Sequence, residues 1–140
     1  MIAAALGGVI IGLLSVGVVS HTPLRHLIQV LPAVLAFALV TRNIAWARFA
    51  ALPIFTFWFL IMLGIWLFLL GLARIITGHY SSAEVLLTLV IGISCLVGLA
   101  ASVRASVTTS RVRAGWVILA FAALQVGALW LSLRPAFARS

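Results

Sequence analysis

The sequence predicts an all-α fold: a polytopic integral membrane protein of about five transmembrane helices packed as a bundle. Two observations carry this expectation. Of 140 residues, 66% are hydrophobic and 7% are charged, against roughly 25% charged in an ordinary soluble domain, so polar groups cannot cover the apolar surface. The chain also divides into five uncharged intervals, 1–20, 27–41, 49–73, 85–103 and 114–133. A bilayer core is about 30 Å thick and needs about 20 apolar residues as helix. Four of the intervals meet that length, and 27–41 falls short by roughly 7 Å at 1.5 Å per residue. The expected organisation is one transmembrane domain over 1–140, with helices at about 2–20, 23–42, 49–74, 83–103 and 114–133.

The first helix has the look of a signal peptide, because Val18 and Ser20 fit the small positions before a cleavage site. No positive side chain precedes it, however, and the apolar run exceeds the roughly 7–15 residues of a signal core, so retention is expected. The second helix reaches spanning length only if it starts at Pro23 with Thr22 as N-cap, proline being favoured in the first helical position. Arg25 then snorkels from the first turn, and His26 beside it needs a partner. A segment broken at Pro32 and re-entering the same face is the rival reading, disfavoured because neighbouring groups accommodate a proline within a spanning helix.

The third helix is longer than needed, which implies tilt, and Pro53 either begins its straight part or kinks it. Its Trp58 and Trp66 lie well inside the run instead of at its rims, so they read as packing residues, with an aromatic-lined groove as the sharper alternative. The fourth opens on Ser81-Ser82-Ala83-Glu84, the pattern of a capping box. Thr109 and Ser110 are the candidate caps of the fifth. Ala4, Gly8 and Gly12 recur every four residues on the first helix, as do Ser94, Gly98 and Ser102 on the fourth. Such stripes let backbones approach closely, and they fit another membrane protein, a second copy of this chain or a neighbouring helix equally well.

The formal charge is +8, from nine arginines against the single acid Glu84. The arginines fall between long uncharged runs instead of forming a patch, so the expected partner is the lipid bilayer and nucleic acid is not expected. With an odd number of spans, the N-terminus, the 41–48 segment and the 104–113 loop share one side. That side carries Arg42, Arg48, Arg104, Arg111 and Arg113, and the other Arg25, Arg74, Arg134 and Arg139. The margin of one favours a cell-membrane protein with a cytoplasmic N-terminus and an outer C-terminus.

The inventory removes much chemistry. Schiff-base formation needs a lysine, paired-carboxylate catalysis two acids, and a CxxC metal or redox motif a second cysteine beside Cys95. No metal site and no cofactor are expected, because His21 and His26 are five apart and do not stack on one helix face. What remains is a candidate polar cluster at the outer face: His21, Arg25, His26, Gln29, Arg74, His79, Tyr80 and Glu84. Glu84 is first a capping carboxylate and second a pairing partner for Arg25 or Arg74. Gln29 and Gln125 sit in hydrocarbon, where an amide needs a partner, and read as interhelical hydrogen bonders. Arg25 and Gln29, four apart, share a face and extend a polar patch inward. The favoured function is a non-enzymatic accessory or scaffold subunit of a membrane assembly. The alternative is a small transporter or channel whose polar path is lined by Gln29, Gln125 and the cluster, and an enzyme using the histidines with Glu84 trails both.

Overall fold

The computed structural model describes residues 1–105 and 109–138, and it is helical throughout its ordered elements. The elements are α1 (Ile2–Val19), α2 (Pro23–Thr41), α3 (Ala47–Leu69), α4 (Ser82–Arg104), α5 (Arg111–Ser132) and the single turn α6 (Pro135–Ala138). The first five are long and apolar enough to cross a membrane. α2 starts at Pro23 and runs unbroken through Pro32, so the break on which the re-entrant reading rests is absent.

The boundaries move for physical reasons. α3 begins at Ala47 and takes Arg48 into its first turn, and α5 begins at Arg111, because a charged side chain ends an apolar interval without ending a helix. At its far end α3 stops at Leu69, five residues before the expected 74. Gly71, at φ +72°, turns the chain there: its N–H donates to Phe68 O (3.0 Å) and the Leu72 N–H to Leu67 O (2.9 Å), the paired bonds of a Schellman motif. Apolar Leu72 and Ala73 extend the hydrophobic run past a helix that has already ended. The same motif closes α1 and α2, with His21 (φ 55°) and Asn43 (φ 53°) in the left-handed position that glycine holds after α3. His21 therefore does a turn-forming job that its chemistry does not advertise.

The helices close a ring in the order α1, α2, α5, α3, α4, with α3 also touching α2 across the centre. α3 contributes the most buried residues, along a stripe from Arg48 through Ala51, Phe55 and Trp58 to Met62. α5 buries only Ala114, Phe121, Gln125 and Ser132, with Val117 packed partly against the core, and leaves much of its surface outward. The small-residue stripes are consumed inside the chain. A side chain on Gly8 or Gly12 would run into Ser94 or Ile91 of α4, and one on Gly98 into the Phe55 ring of α3. Ala4 does not belong to the packed stripe, since it is exposed.

Candidate functional site

The turn between α1 and α2 sets the mouth of the site. A Cβ at Gly17 would stand 2.8 Å from His26 Cβ, so the missing side chain lets the start of α2 lie directly against α1. Thr22 occupies the N-cap position but does not cap an amide. Its hydroxyl contacts Ser20 Oγ (2.8 Å) and His26 Nδ1 (3.2 Å), and its carbonyl lies 3.1 Å from the same Nδ1. A carbonyl only accepts, so this contact places a proton on Nδ1. His26 Nε2 is the ring nitrogen left for other work.

Glu84 is held by its own helix end. Its Oε2 accepts from the Ser81 N–H (2.8 Å) and the Ser81 hydroxyl (2.9 Å), while Ser81 Oγ accepts from the Glu84 N–H (3.3 Å). The capping box is thus complete, and among the described residues Glu84 has no ion-pair partner, neither Arg25 nor Arg74. Tyr80, just before this cap, packs edge-on against Phe68 with centroids 6.2 Å apart. Burial, and secondarily the Glu84 carboxylate, push its phenol above the usual range. Its hydroxyl stays a neutral donor.

These groups converge on a pocket of about 510 Å³ walled by all five long helices. Of the sequence-predicted cluster, Arg25, His26, Gln29, Tyr80 and Glu84 line it. His21, Arg74 and His79 are exposed and lie outside it. His21 is turned away by its place in the α1 turn, and Arg74 and His79 fall in the connection left when α3 ends early. Arg139 lies outside the described residues. Apart from Ser20, Thr22, Thr77 and Thr88 the remaining walls are apolar, Leu13, Met62, Ile65 and Ile91 among them. Trp58 also lines the pocket, about 16 Å before the end of α3 at 1.5 Å per residue, and its buried indole N–H has no hydrogen-bond partner. Arg25 Nε is likewise buried and unpartnered.

Beside the pocket, α2 and α5 are pinned together. Gln29 Nε2 donates to Ser132 Oγ (2.9 Å), Ser132 Oγ to Leu129 O (2.6 Å), and Gln125 Nε2 to Gln29 O (3.3 Å). The two glutamines are thus interhelical hydrogen bonders as expected. Ser132 was missed, although it stands seven residues after Gln125 on the same face of α5 and is fully buried. Trp66, across the bundle, donates to Thr88 Oγ1 at 2.9 Å, which makes it a packing residue. At the opposite end of the bundle, Arg48 is buried. Its Nη1 donates to the carbonyls of Ala105 and Ser102 where α4 ends, and its guanidinium lies 4.5 Å from the Phe49 ring centre. Sequence reasoning treated Arg48 only as a topology charge, yet it falls in register with Ala51 and Phe55 on the face that becomes the core.

Among the described residues no three His, Cys, Asp or Glu side chains are grouped to hold a metal. Cys95 is buried. No protein-family model, curated protein or solved structure matches this chain, so its function is read from the geometry.

Proposed function

We propose that this chain is a multi-pass protein of the cell membrane that works without catalysis, as an accessory or scaffold component built around a pocket open at one membrane face. The observation that carries this reading is the Gln29–Ser132–Gln125 set. Buried Gln29, Gln125 and Ser132 fasten α2 to α5, with only Gln125 Oε1 left without a partner, as expected of a scaffold, whereas a conducting path needs polar groups free to face a continuous cavity. The outward face of α5, with Gly115 and Gly127 in open space, is the surface such a component has left for contacts in the membrane. The transporter reading stays as the alternative because Arg25, His26, Tyr80 and Glu84 share one cavity.

Reconstitution separates the two. The purified protein in liposomes under a potassium or proton gradient is expected to conduct no faster than empty liposomes, and gentle detergent extraction from its native membrane is expected to retain a stoichiometric protein partner. A saturable flux that Gln29→Leu abolishes would replace the scaffold with the transporter.

The orientation proposed is N-terminus cytoplasmic, with the pocket opening outward, on the arginine margin. In a Cys95→Ala background, single cysteines at His21 and His79 are expected to react with a membrane-impermeant maleimide added outside intact cells, and one at Ser110 only after permeabilisation. The reverse pattern inverts the protein. Labelling of His21 and His79 from different sides would contradict the antiparallel bundle itself.

A further inference from the structure

We propose that the pocket binds a single-tailed amphiphile with an anionic oxygen head, the head pairing with Arg25 at the mouth and the tail lying among Leu13, Met62, Ile65 and Ile91. The volume, about 510 Å³, falls within the range of roughly 300–1,000 Å³ typical of small-molecule sites. Its charged groups, Arg25 and Glu84, stand in the first turns of α2 and α4, while Leu13, Met62, Ile65 and Ile91 line it further along the helices. The sign of the head follows from what is left unpaired. Arg25 makes no hydrogen bond or ion pair with a described residue, and its buried Nε lacks a partner. The Trp58 indole N–H is also unpartnered, but it lies deeper, beside the tail, and has no part in choosing the head. No buried acceptor of the lining lacks a partner among the described residues, and the one carboxylate there, Glu84, already accepts two bonds from Ser81. A mouth whose guanidinium has donors to spare calls for a ligand that brings acceptors. A carboxylate or phosphate head supplies them with the charge that complements a guanidinium. The inference rests on this pocket alone and holds whether the protein is a scaffold or a carrier.

The test uses the full chain in detergent with 9,10-dibromostearate, whose bromines quench tryptophan halfway along the tail. Saturable quenching at one molecule per chain is expected, with most of the quenched signal lost in Trp58→Phe. The methyl ester of the same acid should bind at least tenfold more weakly. Arg25→Gln should weaken the acid about tenfold, leave the ester unchanged and, having no bond in the fold to lose, preserve the thermal melt; Arg25→Lys should fall between. Competition distinguishes the sources of the head. Displacement by palmitate or by palmitoyl lysophosphatidate supports the proposal and names the head, whereas inorganic phosphate should not displace the probe at millimolar concentration. Equal affinity for acid and ester, indifference to Arg25→Gln, displacement by inorganic phosphate alone, or quenching that is unsaturable or unchanged in Trp58→Phe would each overturn it.

Discussion

Gly98→Leu is expected to abolish the folded bundle, the largest loss at any single glycine of this chain. Gly98 is where α4 rests on α3, and even a Cβ there overlaps the ring of Phe55, a side chain with no exposed surface. A ring at the rim of a core swings aside cheaply, but this one is enclosed on every side, so the backbone of α4 must retreat. Overpacking a close-packed interior by a small group costs about 1–3 kcal/mol, so Gly98→Ala should melt at a distinctly lower temperature in detergent. The larger leucine should leave little folded protein to melt. Phe55→Leu in the Gly98→Ala background removes the obstructing ring and should recover much of the loss, which neither change alone achieves. Gly127→Ala is the control, because nothing lies within 4 Å of its Cβ position and alanine gains up to about 1 kcal/mol over glycine in a helix. Equal melting of the Gly98→Ala and Gly127→Ala proteins would mean that α3 and α4 do not meet at this point.

The contrast between these two glycines marks where sequence reasoning stops. Small residues four apart announce that a helix has a face made for close approach, and Gly8, Gly12 and Gly98 all lie on such faces. They do not announce the partner, since an apolar groove in one chain is chemically the same as a groove in another, and only the ring order of the helices assigns Gly98 to Phe55. Capping was legible because it is local: Ser81 and Glu84 satisfy each other across three residues whatever surrounds them. The shared cavity was legible in part. Arg25 and Gln29 sit one turn apart on a helix whose start proline fixes, and Glu84 is fixed by its cap, so these three come to line one pocket. Arg74 was not, because its position depended on where α3 ends. The signal for that end, Gly71 after Leu70, stands inside a run that stays apolar through Ala73. His21 was misjudged for a related reason, as its role comes from a backbone angle and not from its imidazole.

Arg48 is the residue whose importance composition hides most completely, and Arg48→Met is expected to destabilise the protein by about 3 kcal/mol. A helix leaves its last carbonyls without intrahelical donors, and α4 ends against the start of α3, where Arg48 donates to Ser102 O and Ala105 O. Only 9% of Arg48 is exposed, so solvent has poor access to these groups once the guanidinium is gone. Hydrogen bonds to charged groups contribute about 1.5–3 kcal/mol each, and a buried acceptor left unpaired costs about 1–3 kcal/mol. Methionine keeps most of the apolar stem, so the loss reports the head and not a cavity. Lysine restores the charge as a single point without the planar fork and should recover part of the stability. The opposing term is desolvation: a buried charge is costly enough that a well-packed apolar replacement is sometimes neutral, and Arg48 Nε and Ser102 Oγ remain buried without partners even in the native fold. The melting temperature of Arg48→Met decides between them. A melt unchanged from the native protein would mean that dehydrating the guanidinium cancels what its carbonyl bonds contribute. A large fall, with partial recovery in Arg48→Lys, would make this arginine the clamp that holds the end of α4 to α3, as Gln29 and Ser132 hold α2 to α5 at the other face.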